Sequence, residues 1–371
     1  MTQDRLITVA IHTYDKALEL RAMLEAEGIQ VTFQNVNLQT PVVSSGVRVR
    51  INESNLPLAL RIIENPHVFS SADKPNQEDS HYILVPVDFS NYSFRAACEA
   101  SLMANELHAN VCLLYSYLDP NEAGTMQLTA NLTYDSADNT LRTQLDTEAR
   151  MRMSEFTDKL TSMMKTGELP PVLISTKIVE GVPEDAIVNY SRVNPPLLVI
   201  MGTRGATRKE KELIGSVTAE VLDACQSSIL AIPEGAKGQS NSKNILFFSN
   251  LDQEDILAID TLHRIYPSRS FHVTLLHVPG KKRLLFERPT EKDLKSLLQY
   301  CTEHCHNYTF GARSIPNNSE IEDIKKIFDE IEADLIVIPN KKKNIFTRLI
   351  SPSLAHKVLF HSPTPVLAIP V

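Results

Sequence analysis

The sequence of 371 residues predicts an α/β protein in which two doubly wound parallel sheets follow a small α+β unit in tandem. Three observations predict this class. Short, wholly apolar runs such as Leu197-Leu-Val-Ile200 alternate with helix-like patterns, as buried parallel strands do. A glycine or a carboxylate follows two of these runs, at the strand ends where open α/β sheets bind ligands. The series of runs then recurs in altered form in the last third of the chain.

The composition limits the possible functions. The length suggests two or three domains. The sequence shows no basic-then-apolar leader and no apolar run near the ~18 residues of a membrane span, so the cytoplasm is the expected location. A formal net charge of −8, from 37 basic and 45 acidic residues, argues against a general nucleic-acid binder. The five cysteines are an odd number and are scattered, so we expect reduced, mostly buried thiols.

Residues 1–67 have the pattern βαββα and are predicted to form a small α+β domain of their own. The first strand is Leu6-Ile-Thr-Val-Ala10, and the helix after it ends at Gly28. Two alternating strands and a second helix follow, at residues 29–33, 47–51 and 56–63.

This unit resembles the small ferredoxin-like signal-transducing domain at the N-terminus of assorted bacterial proteins. The matching pieces are Leu24-Glu-Ala-Glu-Gly-Ile29 and Gly46-Val-Arg-Val49. Arg48 and Arg50 share one face of a strand, where they either meet an acidic ligand or lie on a solvated surface. Residues 70–80, rich in Ser, Asp, Asn and Pro, are interpreted as a linker.

The first large domain, residues 81–234, opens with Tyr82-Ile-Leu-Val-Pro-Val-Asp-Phe-Ser90, a strand that ends in a carboxylate and a helix-capping serine. Asp88 either faces a ligand crevice at the strand end or caps the joint between strand and helix. A strand at Val111-Cys-Leu-Leu-Tyr-Ser116 follows. The polar connection 118–139 is interpreted as mobile, with a cover over the cleft as the alternative. A helix with apolar side chains at helical spacing, the strand 172–179, the helix 184–192 and the strand at 229–233 complete the domain.

The strongest candidate site follows the buried strand at residues 197–200. Gly202 and Gly205 let main-chain N–H groups approach a phosphate. Positive charge in the same loop comes from Arg204, Arg208, Lys209 and Lys211. Ser216 is expected to be the N-cap of a helix at residues 217–225, whose positive end faces the same anion. The alternative is that the glycines only turn the chain.

The spacing Gly-x2-Gly-x9-Gly-Ser is neither a Walker loop nor a dinucleotide fingerprint. It resembles the ATP-binding signature of the universal stress protein family. The family's first strand matches at Pro86-Val-Asp88, a segment that the resemblance places in the adenine pocket. The family's usual histidine is Tyr115 here, and the next residue flanks the base. The ATP contacts that the resemblance implies are Pro86, Val87, Asp88, Ser116, Met201, Gly202, Arg204, Gly205, Gly215, Ser216, Val217 and Thr218.

Residues 243–371 are interpreted as a second copy, beyond a Gly/Ser/Asn stretch at 234–243. The matching pairs are Ile83-Leu-Val with Ile245-Leu-Phe, Leu113-Leu-Tyr with Leu275-Leu-His, Leu198-Val-Ile with Ile336-Val-Ile, and Ile229-Leu-Ala-Ile-Pro233 with Val366-Leu-Ala-Ile-Pro370. This copy lacks the motif. Asn250 stands near the place of Asp88, Pro339-Asn-Lys-Lys-Lys343 replaces the glycine loop, and Ser351-Pro-Ser353 replaces its end. The lysines either attract a phosphate or lie in solvent.

The resemblance implies two flavodoxin-like sheets, each with the strand order 3-2-1-4-5, that pair within the chain along their fifth strands. Those strands are Ile229-Leu-Ala-Ile-Pro233 and Val366-Leu-Ala-Ile-Pro370. The implied function is ATP binding in the first copy for stress response or signalling, with any Mg²⁺ held by the phosphates and at most a slow ATPase activity. The protein partner is not identified by the sequence.

Two other function classes remain open. A nucleotide-free interaction scaffold is the first alternative, because the second copy already lacks the motif. An ATP-using transferase or hydrolase is disfavoured, because no catalytic set of side chains need converge on the cleft. Cys301 and Cys305 share a helix face near a histidine, but they fall short of a four-ligand zinc site, and no metal site is expected.

Overall fold

The computed structural model describes residues 5–12, 14–35, 47–64, 81–118, 137–203, 215–233, 235–236, 238, 242–249, 251, 253–277, 291–314, 326–327, 330–340 and 364–371. Most of the connection 118–139, interpreted above as mobile, lies outside these ranges, and its last three residues belong to a helix that begins at Ala137. Among the described residues, no helix combines the length and apolar character that crossing a membrane requires.

The N-terminal unit is a three-stranded antiparallel sheet with two helices. Its elements are β1 (Leu6–His12), α1 (Tyr14–Ala26), β2 (Thr32–Asn35), β3 (Val47–Asn52) and α2 (Leu56–Glu64), and the strand order is β1-β3-β2. The prediction that β2 begins at residue 29 is wrong. Gly28 has a φ of +81°, and the N–H of Ile29 donates to the carbonyl of Leu24, so Ile29 closes α1 instead.

A separate buried cluster gives this unit its own core. Its members are Ala17, Leu20, Leu24, Ile29, Val49, Ile51, Ala59 and Ile62. Residues from both helices and from β3 meet there, so the unit buries its apolar face without help from the rest of the chain.

The rest of the described chain forms one α/β body in two halves. The first half contains β4 (Tyr82–Pro86), α3 (Asn91–Leu107), β5 (Asn110–Tyr117), α4 (Ala137–Thr166), β6 (Ile174–Glu180), α5 (Pro183–Val193), β7 (Leu198–Gly202), α6 (Ser216–Ala224) and β8 (Ile229–Ile232). The second half contains β9 (Asn244–Ser249), α7 (Gln253–Ile265), β10 (Phe271–His277), α8 (Glu291–His304), β11 (Tyr308–Ser314), β12 (Leu335–Asn340) and β13 (Val366–Pro370).

One ten-stranded sheet runs through both halves in the order β11-β10-β9-β12-β13-β8-β7-β4-β5-β6. Neighbouring strands are parallel except at the seam, where β13 and β8 pair antiparallel. Counted along the chain, the strands of each half therefore lie in the order 3-2-1-4-5. The mixed α/β class with a parallel sheet, predicted from the sequence, is confirmed.

Burial on both faces explains the apolar strands. On one face, a single cluster extends from Ile83 in β4 through Leu230 in β8 to Leu367 in β13. The predicted core face of α4 belongs to it, through Met153, Phe156 and Leu160. A second cluster on the other face also spans both halves. The two halves therefore share their hydrophobic core.

The register of the repeat differs from the sequence-based match in one place. Val199 pairs with Ile229 and Ile336 pairs with Val366, so Val199 and Ile336 are the equivalent residues. The match of Leu198 with Ile336 is therefore wrong by one residue. In an unbroken apolar run, the residue types do not show which side chains face which side of the sheet. The sequence therefore did not define the register between the two copies.

The N-terminal unit contacts the second half through α2 and α7. Arg61 of α2 forms an ion pair with Asp260 of α7, and the Nε of Arg264 lies 3.5 Å from the same carboxylate. Burial, with a smaller contribution from the charge of Arg264, lowers the pKa of Arg61 to about 10. Arg61 stays protonated at neutral pH, and the carboxylate of Asp260 lies close to the guanidinium groups of both Arg61 and Arg264.

Asp260→Ala is expected to loosen the N-terminal unit. The change leaves the largely buried guanidinium of Arg61 beside the more exposed Arg264 without their shared carboxylate, and we expect a loss of about 1–3 kcal/mol. Hydrogen exchange along α2 and the unfolding temperature measure it. Glu148→Ala is the matched control, because the pair of Glu148 with Arg152 is 3.8 Å long and mostly solvent-exposed. Equal protection of α2 in both variants would contradict the contact.

Leu367→Lys is expected to destabilise the seam. Leu367 is 0% exposed and pairs with Leu230, which is also 0% exposed, so an ammonium group would be forced into the shared core. We expect a loss of about 3–5 kcal/mol, with aggregation or exchange of halves between chains. Leu173→Lys is the control, because Leu173 is 74% exposed. Unchanged stability and solution scattering for Leu367→Lys would rule out the seam.

Candidate functional site

The predicted site residues lie along one edge of the sheet in the first half. Pro86 ends β4 and is followed by Val87 and Asp88, Ser116 lies near the end of β5, and Met201 and Gly202 end β7. In the sheet, β4 lies between β5 and β7, and all three are parallel. The structure therefore brings these three segments together at their carboxyl ends.

Part of the predicted loop lies outside the described residues. Arg204 and Gly205 belong to it, as do Arg208, Lys209 and Lys211. The chain is described again from Gly215 onward.

Two hydrogen bonds tie the start of α6 to the end of β7, and a third ties the end of β7 to β8. The N–H of Gly215 donates to the carbonyl of Thr203 at 2.8 Å, and the N–H of Thr203 donates to Ile232 at 3.0 Å. The hydroxyl of Thr218 donates to the carbonyl of Gly202 at 3.0 Å, and the residue Thr218 is 3% exposed. Both ends of the glycine loop are therefore fixed at one point, as a loop that encloses a ligand requires.

The prediction that Ser216 is the N-cap of this helix is wrong by one residue. Gly215 is the N-cap, with φ −69° and ψ 152°, and α6 begins at Ser216. The hydrogen bond from Gly215 to Thr203 holds Gly215 in an extended conformation, so the first helical bond runs from the N–H of Ala219 to the carbonyl of Gly215. The boundary follows from this contact.

The first turn of α6 carries N–H groups that the helix itself does not pair. These belong to Ser216, Val217 and Thr218, because the first helical bond starts at Ala219. In the part of the chain that the structure describes, no side chain caps them. Together with the positive end of the helix dipole, such N–H groups are a binding site for an anion.

Gly202 has a structural reason to be glycine. A Cβ there would lie 2.9 Å from the Cβ of Tyr92 and 3.1 Å from its carbonyl carbon, in the first turn of α3. This close approach brings the beginning of α3 against the end of β7. Gly202 lies in β7 and has no positive φ, so its small size serves this close packing and not a turn of the chain, and a substitution there cannot separate folding from binding.

The carboxylate of Asp88 holds the joint between β4 and α3. Its Oδ1 accepts from the N–H of Ser90 at 3.1 Å and from the Ser90 hydroxyl at 2.5 Å. Ser90 in turn caps α3, since its Oγ accepts from the N–H of Ser93. Of the two roles open from the sequence, the structure shows the structural one, with Asp88 half-buried at the site edge.

Met201 and Ser116 differ in what they present to the site. The Met201 side chain is 4% exposed and belongs to the cluster that includes Ile187 of α5 and Val221 of α6, so only its main chain is available. Ser116 is half-buried and lies two residues beyond Leu114, the partner of Pro86 in β4. Its side chain therefore lies at the level of the turn that follows β4.

Phe89 is a residue at the site that the sequence did not point to. Its φ of +63° is unusual for a bulky side chain. The ring packs 4.5 Å from Tyr115 and 5.9 Å from Phe156, and the guanidinium of Arg152 lies 5.7 Å from its centre. Packing compensates the backbone strain, and the turn that carries Asp88 is held in one shape.

The same turn in the second half uses different side chains. Leu251 has a φ of +58°, as Phe89 does in the first half. The Ser249 hydroxyl donates to Oδ2 of Asp255 at 2.6 Å, and the N–H of Leu251 donates to the same oxygen at 2.9 Å. Asp255 is 0% exposed and lies in the first turn of α7, whereas Asp88 of the first half lies at the end of a strand.

The glycine loop has no counterpart in the described part of the second half. By the register above, Pro339 is the equivalent of Gly202. The other replacements predicted from the sequence, Asn250, Lys341 to Lys343 and Ser351 to Ser353, lie outside the described residues.

The cysteines are free thiols. Burial is the main cause that raises the pKa of Cys98 to about 11 and the pKa of Cys301 above its usual range, so both remain protonated at neutral pH. Within the described ranges, no three His, Cys, Asp or Glu side chains form a group that could hold a metal ion.

Comparison with known proteins places these features in a family. The model of the universal stress protein family matches residues 80–233 and 317–370, which lie in the first and second halves. The chain is 28% identical over 160 residues to universal stress protein MJ0531 of Methanocaldococcus jannaschii, across 42% of this chain and 83% of that relative.

Two solved structures are also similar to this chain. A universal stress protein from Archaeoglobus fulgidus superposes with a TM-score of 0.58 at 17% identity, covering 78% of this chain and 98% of that one. The universal stress protein UspA from Lactobacillus plantarum is 26% identical, with a TM-score of 0.33, and covers 41% of this chain and 97% of that one. The likeness to the Archaeoglobus protein concerns the fold alone. Because the family model matches more than half of the chain, with segments in both halves, this protein belongs to the universal stress protein family.

Proposed function

We propose that this protein binds ATP in its first half and acts as a regulator in stress response or signalling. The observation that supports it most is the first turn of α6, where the N–H groups of Ser216, Val217 and Thr218 lie beside the end of β7. Backbone N–H groups at a helix start are a good match for a phosphate, because they offer several donors and a partial positive charge together.

The adenosine end of the ligand is assigned by family resemblance. Pro86 is the last residue of β4, Val87 and Asp88 belong to the turn that follows it, and Ser116 lies at the same sheet edge on β5. This turn is rigid, since Ser90 holds the Asp88 carboxylate and Phe89 is packed against two rings. A rigid turn beside a phosphate-binding helix would support recognition of a flat base with little loss of entropy. Arg204 and Gly205 complete the proposed contacts, and any Mg²⁺ would be held by the phosphates.

The role we propose is binding, with at most slow ATP hydrolysis. The carboxylate among the proposed contacts, Asp88, accepts hydrogen bonds from Ser90 at the joint between strand and helix. A phosphoryl transfer enzyme needs groups that position a nucleophile and a metal. By its resemblance, the N-terminal unit is proposed to be a signal-transducing domain docked on α7.

A nucleotide-free scaffold is the second candidate. The observation that favours it is the second half, where a proline occupies the place of Gly202 and a buried carboxylate organises the turn after the first strand. A chain of this family can therefore keep the fold without the motif. Mass spectrometry of the gently denatured protein distinguishes the two candidates, because only the first predicts a co-purified nucleotide.

One ATP per chain is the expected stoichiometry. In the sequence, Asp88, Gly202, Gly205, Gly215 and Ser216 occur together in the first half only. Titration calorimetry with ATP measures the ratio, and unlabelled ATP competing with a fluorescent analogue checks that one site is involved. A ratio of two, or none, contradicts the assignment.

Gly215→Asp is expected to abolish most ATP binding without unfolding the protein. The extended φ and ψ of Gly215 suit any residue, and Asp is among the preferred N-cap residues, so α6 keeps or gains stability. The new carboxylate would take the N–H groups and repel the phosphate. We expect at least a tenfold loss of affinity, about 1.4 kcal/mol.

Gly215→Asn is the matched control for this change. Asn has nearly the same size and also caps helices, but it carries no charge. Its affinity should lie between those of the wild type and Gly215→Asp in calorimetry, with similar unfolding temperatures for the two variants. If Gly215→Asp binds ATP as tightly as the wild type, the phosphate does not lie at the start of α6.

A further inference from the structure

The helix at the proposed phosphate site crosses the seam between the two halves. Val221 and Leu222 of α6 share a buried cluster with Ile336, Ile338 and Val366 of the second half. The far end of this helix therefore rests on the other half of the molecule, while its first turn lies at the end of β7.

A side chain of the second half completes the far end of α6. The amide Nδ2 of Asn340 donates to the carbonyl of Leu222 at 3.1 Å, and Asn340 is 7% exposed. Because α6 ends at Ala224, this carbonyl is among the last four of the helix, which have no partner inside it. Asn340 therefore fixes the end of α6 opposite the proposed phosphate.

The second helix that begins at the site is held in the same way. Arg269, between α7 and β10, binds Glu106 near the end of α3 through two contacts of 2.6 and 2.9 Å. The Arg269 side chain is 12% exposed. A carboxylate near a helix C-terminus is unfavourable because it lies at the negative end of the helix dipole. The positive charge of Arg269 offsets this effect at Glu106. The other end of α3 carries Tyr92, which contacts Gly202.

Helix length converts a small change at the far end into a displacement at the site. The nine residues of α6 span about 13 Å, so a tilt of about 5° about the Leu222 end would move the first turn by about 1 Å. A displacement of that size is enough to spoil a set of placed hydrogen-bond donors.

We propose that Asn340 and Arg269 are positioning residues for the ATP site, acting through α6 and α3 from the half that has no glycine motif of its own. This proposal rests on the proposed function. The second half supports the site of the first by holding both helices at the ends away from the ligand. By linkage, ATP would in turn tighten the contacts at the seam.

The first test is Asn340→Ala with Thr364→Val as the matched control. Both changes remove a side-chain hydrogen bond to a main-chain carbonyl in the second half, but the carbonyl that Thr364 reaches belongs to Ala333, which lies outside both helices of the site. We expect Asn340→Ala to weaken ATP binding by about threefold to tenfold, as the loss of one neutral hydrogen bond would. Thr364→Val should leave the affinity unchanged. Equal affinities of the wild type and Asn340→Ala would overturn the role of Asn340.

A second readout on the same variants needs no ligand. In the ATP-free protein, amide hydrogen exchange at Ala219 and Glu220 should rise about threefold or more in Asn340→Ala and not in Thr364→Val. If the wild type binds no ATP, the proposed function fails, and this exchange still reports whether Asn340 orders α6. Unchanged exchange would overturn the positioning role by itself.

The second test exchanges the charges of the pair at α3. Glu106→Arg and Arg269→Glu are each expected to lower ATP affinity severalfold, and the double variant should recover most of the loss. Direct effects of the charges on ATP are screened, since the 17 residues of α3 span about 25 Å and the screening length in salt is about 8 Å. A double variant as weak as the singles, or singles equal to the wild type, would overturn the role of Arg269.

Discussion

The pairing of β8 with β13 is the constraint on which the rest of the molecule depends. Each strand would otherwise end its half as an exposed apolar edge, and such edges associate. Their antiparallel pairing places Leu230 opposite Leu367 and joins two parallel sheets into one of ten strands. Because helices on both faces then cover the seam, the two halves share their core, and neither half can move far without exposing apolar surface.

Within this frame, the two halves use the same turn for different purposes. After the first strand of each half, a non-glycine residue adopts a left-handed conformation, Phe89 in one and Leu251 in the other. In the first half, the carboxylate stands before this residue at the edge of the sheet. In the second half, Asp255 takes its place from the helix and is completely buried. Both halves therefore have the same backbone turn, but the side chains that a ligand could contact there differ.

The N-terminal unit adds a third element with a different kind of attachment. Its core is complete within itself, and its contact with the large body runs between α2 and α7 through charged side chains. Interfaces of that kind are usually weaker than a shared hydrophobic core. The unit contacts the half without the glycine motif, through the helix α7 that packs on β12 and β13.

The sequence by itself determined the class of fold and pointed to the segments of the proposed site, because apolar runs and glycine spacing are local signals. The sequence located β4, β5 and β7 and the residues at their carboxyl ends, and it indicated a separate small unit at the start of the chain. Contacts between distant residues decided the rest. The hydrogen bond from Gly215 to Thr203 sets the start of α6, and the close packing of Tyr92 requires a glycine at position 202. The hydrogen bond from Asn340 to Leu222 joins the second half to the end of α6. No local pattern marks such pairs, since their energy exists only once the chain has folded.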